Sequence, residues 1–200
     1  DYLKGDGVNL NVTLGGAVTL SGDFVFTVPY IRKSAIYSGA GAAEVIFDED
    51  YVLGLFSEST GTSLSIGNGA SFVISFLGKT QLTLDVVSVL VARRVGTTVT
   101  FEIDGVVKGT STAVGNDLSL PLTSSTMFLQ RQIANQPASG ILGICTLEDG
   151  AAGVTYQWDF DAVTDNGGGT GNVPQTGTGT LVDATVNNFV EFYVQVSNAP

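Results

Sequence analysis

Hydrophobic and polar positions alternate at period two along most of this chain. Val8, Leu10, Val12 and Leu14 are separated by Asn9, Asn11 and Thr13, the alternation of a half-buried strand. Gly15-Gly16 predicts a turn. Val18-Thr19-Leu20 and Phe24-Val25-Phe26-Thr27-Val28 follow, and Pro29 is expected to close the second run. Val45–Phe47, Tyr51–Phe56, Ser63–Ile66 and Phe72–Leu77 read as further strands, divided by Gly61, Gly67-Asn68-Gly69 and Gly78-Lys79. No window carries a helical period. Strand, short polar turn and strand recurring at roughly 8–12 residues is the spacing of a sandwich.

The segment 85–113 predicts two successive hairpins. Ser88–Arg94 is an apolar strand, Gly96-Thr97 turns it, and Thr98–Ile103 alternates so that Val99, Phe101 and Ile103 face a core. Asp104-Gly105 supplies the two residues tolerant of positive φ that a type I′ turn demands, and Val106–Thr110 runs back. Leu118–Leu120, Met127–Leu129, Ile141–Leu147 and Val154–Trp158 read as later strands. Beyond Glu148 the character changes: Gly167-Gly168-Gly169-Thr170-Gly171-Asn172 and Gly177–Leu181 are expected to be loop, before the apolar strand Phe189–Val196.

The words V-x-R-x-G-T-x-V and I-D-G-x-x-x-G in the central hairpins, with Asp23-Phe24-Val25-Phe26-Thr27-Val28 upstream, resemble concanavalin A-like, laminin G-type jelly rolls. Phe128-Leu129-Gln130-Arg131 and Gly140–Cys145 partly match that family's closing strands. The arginine is kept; a glycine, an aspartate and a second arginine are not. The resemblance covers about Val18 to Leu147. It implies an all-β, concanavalin A-like antiparallel β-sandwich or jelly roll over residues 1–158, with residues 159–200 as a Gly/Thr-rich loop and C-terminal strand packed on or extending it. The W-D-F…P…G-T-L…F-V-E-F-Y-V ending resembles modules of tailed-phage structural proteins. The expectation that follows is a non-enzymatic virion protein of a tailed bacteriophage, a capsid decoration or tail-fibre appendage. Its partners would be other virion proteins, further copies of itself and a host-surface glycan. The alternative is a lectin-like carbohydrate-binding module or adhesin domain of a larger secreted protein.

Composition narrows the chemistry. The chain has 200 residues, 44% of them hydrophobic and 14% charged, which suits one folded domain with a sizeable core. The net charge is −11, with eight Lys and Arg. That field repels nucleic-acid phosphate and anionic membrane surfaces, so neither is an expected partner. No apolar run is long enough to span a membrane. The chain opens on Asp1 with no signal peptide, as expected of a processed chain or a piece of a longer one. Asn11-Val12-Thr13 is a lone glycosylation triplet, a weak sign of secretion.

Candidate chemistry is sparse. There is no histidine, which excludes Ser-His-Asp and Cys-His nucleophiles. Cys145, the single cysteine, reads as a small buried side chain. Glu102-Ile103-Asp104 begins a glucanase-like carboxylate word, but Val107 stands where the third carboxylate belongs, so no catalysis is expected. No cofactor is expected, with calcium the one candidate ion: Asp48, Glu49 and Asp50 form the densest acidic run, and hard cations take carboxylate oxygens. Tyr37, Tyr51 and Trp158 are the aromatic candidates for stacking on a sugar. Burial of Trp158 in the core is the competing expectation.

Overall fold

The computed structural model describes residues 11–33, 43–49, 52–58, 61–67, 72–78, 80–112, 120–123, 127–128, 140–179 and 183–187. In chain order the first strands are β1 (Asn11–Thr13), β2 (Val18–Leu20), β3 (Phe24–Ile31), β4 (Ala43–Glu49), β5 (Leu53–Glu58), β6 (Gly61–Gly67), β7 (Phe72–Gly78), β8 (Val87–Val95) and β9 (Thr98–Ile103). Then come β10 (Val106–Thr112), β11 (Leu120–Leu122), β12 (Met127–Phe128), β13 (Ile141–Leu142), β14 (Ile144–Asp149), β15 (Val154–Asp159), β16 (Thr164–Gly167), β17 (Thr170–Val173) and β18 (Ala184–Asn187). No helix occurs among the described residues, so none is long and apolar enough to cross a membrane.

Two large antiparallel sheets make a sandwich. One has the order β16-β17-β18-β1-β12-β4-β5-β6-β7; the other has β10-β9-β8-β3-β14-β15, with β13 also paired to β3. A small β11–β2 ribbon stands beside them. Alternation builds the core between the sheets. Phe24, Phe26, Val28 and Tyr30 of β3 point inward, as do Leu90 and Ala92 of β8 and Val99, Phe101 and Ile103 of β9. Thr98, Thr100 and Glu102 lie on the opposite face and are half-buried. From the other sheet come Phe47, Leu53, Leu55, Leu64 and Ile66. Aromatic rings join the layers: Phe26 of β3 lies 4.7 Å from Phe47 of β4, and Phe128 of β12 lies 4.9 Å from Phe47, 5.0 Å from Phe160 and 5.7 Å from Trp158.

The central hairpins follow the sequence expectation. Asp104 and Gly105 take φ of 53° and 75°, the left-handed pair of a type I′ turn. Asp104 accepts the Val89 N–H at 2.8 Å, tying the turn back to β8. Asp23, at the head of the D-F motif, accepts the Gly96 N–H at 2.6 Å and locks the β8–β9 turn onto the start of β3.

Two expectations are corrected. Pro29 does not close its strand: β3 runs on to Ile31 between β8 and the β13–β14 segment. An interior strand tolerates a proline, which lacks an N–H, only where the ladder is broken. The break is at Gly143, which separates β13 from β14 and donates its own N–H to the Pro29 carbonyl at 3.0 Å. Gly167–Asn172, expected to be loop, instead belong to the hairpin β16–β17, with Gly167, Gly168 and Gly169 all at positive φ in its turn. This hairpin and β18 join the large sheet through the β1–β18 pairing. The expected strand Phe189–Val196 lies outside the described residues.

Phe101→Ala is expected to cost about 3–5 kcal/mol by emptying a fully buried ring site; a denaturant titration measures it. Thr100→Ala on the outer face should stay within about 0.5 kcal/mol.

Candidate functional site

Among the described residues two surfaces present chemistry, and neither coincides with the residues singled out from the sequence. The first is the solvent face of the large sheet across β16, β17, β18 and β1. Register sets its composition. Thr164 pairs with Asn172, Asn172 with Thr185, and Thr185 with Thr13; Thr170 pairs with Asn187. Paired residues share a face. The intervening Val12, Gly171, Val173, Ala184 and Val186 are buried beneath. What remains outside is Thr13, Thr164, Asn166, Thr170, Asn172, Thr185 and Asn187. These side chains carry hydroxyls and amides and no charge.

Hydrogen bonds orient part of this face. The Asn166 Nδ2 donates to Asn172 Oδ1 at 3.1 Å, and the Asn187 Nδ2 donates to Thr13 Oγ1 at 3.4 Å. Thr13 Oγ1 in turn donates to the Thr185 carbonyl at 3.5 Å. Thr164, Asn166, Thr170 and Thr185 are exposed, and Thr13, Asn172 and Asn187 are half-buried. Each amide offers two donors and a carbonyl acceptor, and each hydroxyl serves both ways. Nearby carboxylates are engaged in turns: Asp165 accepts from Gly167 N at 2.7 Å, and Asp183 from Gln175 N at 3.0 Å.

The second surface is a half-open groove of about 340 Å³ on the other sheet, at the Pro29–Gly143 ladder break. Pro29, Ile31, Val87, Ile141, Leu142 and Ile144 make it apolar, and Asp161 is its charged group. Desolvation, followed by the neighbouring Asp159 charge, raises the Asp161 carboxyl from its ordinary value. Beneath it, burial and then the charge of Asp161 push the Cys145 thiol well above its ordinary value. Cys145 is fully buried, with Sγ 3.7 Å from the Gly143 carbonyl, so it is held in its inert thiol form.

The sequence-selected residues fall elsewhere. Trp158 is corrected as a glycan platform: it is fully buried against Phe128 and Tyr156 and cannot reach a sugar. Its indole N–H finds no hydrogen-bond partner among the described residues. Tyr30, another aromatic in the sequence, is buried too. Tyr37 and Tyr51 lie outside the described residues, as does Asp50. Asp48 and Glu49 are strand residues of β4 rather than loop. Glu49 is buried, and its carboxylate accepts the Thr123 N–H and Oγ1–H at 3.1 Å each. A carboxylate satisfied in this way is not offered to a solvent cation. No group of potential metal ligands occurs among the described residues. The two carboxylates of the glucanase-like word also have structural work: Glu102 faces Arg93 at 3.8 Å on the outer face of its sheet, and Asp104 holds its turn.

No family model matches the sequence, and no curated protein matches it at a significant level. Solved structures do match in fold. A candidate carbohydrate binding protein from Bacteroides ovatus superposes with a TM-score of 0.65 at 11% identity, over 94% of this chain and 61% of that one. The chain thus spans about three-fifths of that protein's length. A heptameric SAP-like pentraxin from Limulus polyphemus gives a TM-score of 0.45 at 14% identity, covering 72% of this chain and 77% of that one. The carbohydrate recognition domain of Emp47p gives 0.41 at 13%, covering 94% and 82%. The fold is the all-β, concanavalin A-like jelly-roll sandwich. At these identities the likeness is one of fold.

The Thr/Asn face escaped the sequence reading because Gly167–Gly169 masked a hairpin as a loop. The signal was nonetheless present: Thr170-Gly171-Asn172-Val173 and Ala184-Thr185-Val186-Asn187 both alternate at period two.

Two outcomes follow. Native Cys145 should resist a thiol reagent and react only after unfolding, as a timed labelling assay would report. Asp161 has its folded-state pKa raised, so its protonated form stabilises the fold at low pH, and that contribution is lost as pH rises through the folded pKa. Asp161→Asn should therefore raise the melting temperature at pH 7, and the difference should vanish in acid below the ordinary carboxylate range.

Proposed function

We propose that this chain is a non-catalytic, lectin-like carbohydrate-binding module acting outside the cell. The observation that carries the reading is the uncharged hydroxyl-and-amide face on β1 and β16–β18. Sugar hydroxyls are donors and acceptors without charge, and Asn and Thr side chains complement them. The fold shared with the candidate carbohydrate binding protein of Bacteroides ovatus supports the same reading. A catalytic reading would need two carboxyls facing one cleft, whereas Glu102 and Asp104 are engaged in an ion pair and a turn. Placement on a phage particle, with virion partners and self-association, rests on the sequence resemblance alone, and the comparisons favour the carbohydrate-binding alternative.

The energetics suit weak, repeated contacts. A neutral hydrogen bond contributes about 0.5–1.5 kcal/mol net, and the aromatic side chains of β3, β4, β5, β9, β12 and β15 are buried and add no stacking. Affinity for a single sugar unit should be low.

A screen of immobilised polysaccharides by affinity electrophoresis tests the proposal. Retention on at least one glycan, with no release of new reducing ends during incubation, is expected. Passage through the whole panel unretarded would overturn the reading, and cleavage would overturn its non-catalytic part.

A further inference from the structure

We infer that the Thr/Asn face of β1, β16, β17 and β18 recognises an extended, neutral polysaccharide rather than an acidic glycan or a terminal sugar. The inference rests on the carbohydrate-binding reading and assigns it a site and a ligand class.

Three observations lead there. The face is uncharged: Thr13, Thr164, Asn166, Thr170, Asn172, Thr185 and Asn187 include no cation to pair with a uronate or sulfate. The chain as a whole carries −11, and such a field lowers the local concentration of a polyanion. The face is also open to solvent at Thr164, Asn166, Thr170 and Thr185, and its residues come from four adjacent strands with the apolar residues of β1, β17 and β18 turned inward. Neighbouring strands lie about 4.8 Å apart, so the four span about 14 Å. That reach covers several sugar units laid side by side, more than a single terminal sugar could contact.

Each strand contributes hydroxyls or amides at its own step across the face. A chain crossing the strands meets a fresh set of donors and acceptors at each one. Binding then strengthens with chain length until the four strands are covered, and it tolerates salt, because no ion pair is screened.

The test uses the full chain, with neutral glucans, mannans and galactans of defined length set against polyuronates, read by calorimetry. Expected is binding to a neutral polymer that rises at least tenfold from monomer to tetramer and is unchanged in 1 M salt. Asn172→Ala and Thr185→Val should each weaken it by about three- to tenfold at an unchanged melting temperature. Thr110→Val, on the β10 edge of the other sheet, should bind as the parent does. If the parent binds no glycan, the carbohydrate reading fails and this inference with it. If the parent binds and both face variants bind equally well, the site assignment alone is overturned. Preference for polyuronates, or equal affinity for monomer and tetramer, overturns the ligand class. Loss of self-association in the face variants with glycan binding intact assigns the face to a second protein copy and also overturns it.

Discussion

The stacking of Phe26, Phe47 and Phe128 holds the two sheets in one body. Phe26 belongs to the smaller large sheet and Phe47 and Phe128 to the nine-stranded one, with ring centroids 4.7–6.4 Å apart in tilted and edge-on geometries. Such aromatic contacts add about 0.5–1.5 kcal/mol each beyond the area they bury. Phe128 sits on a two-residue strand and also touches Phe160 and Trp158. It therefore anchors the segment after β15 as well as the sheets. β12 links β1 to β4 in the large sheet, so the strands bearing the Thr/Asn face are held to the rest of the sheet through the strand that carries Phe128.

Neither outer surface of the sandwich is simply left over from making a core. On the small-sheet side, Pro29 within an interior strand obliges the neighbouring ladder to break, and Gly143 stands at the break. The gap becomes an apolar groove with the Asp161 carboxyl at its rim. On the large-sheet side the face changes along the sheet. Phe56, Ser63 and Ser65, opposite the core-facing Leu55 and Leu64, are themselves buried, so the middle strands are covered on both sides. Four strands at one end of the sheet stay open to solvent, and the side chains that Thr164, Thr170, Asn172, Thr185 and Thr13 set along the pairing are hydroxyls and an amide. A binding surface at this end costs the core nothing, because alternation sends Val12, Val173 and Val186 inward from the same strands.

Period-two alternation and turn chemistry, both local, were enough to determine the strand content, the central hairpins and the inward set Val99, Phe101 and Ile103. A type I′ turn at Asp104-Gly105 depends on two residues that tolerate positive φ. The absence of histidine limited the chemistry before any fold was known. Long-range pairing was not legible. Whether Pro29 ends a strand depends on what the neighbouring strand does at Gly143, more than a hundred positions away. Whether Gly167–Gly169 is a loose loop or a hairpin turn depends on β18 pairing with β17. Trp158 reads first as a core residue and second as a platform, and the contact with Phe128 places it in the core. Asp48-Glu49-Asp50 reads as an acidic loop until β4 is paired and Glu49 meets Thr123. The Thr/Asn face is the sharpest case: its residues come from both ends of the chain, and only the β1–β18 register brings them together, because side-chain neighbours across a sheet are set by pairing and not by sequence.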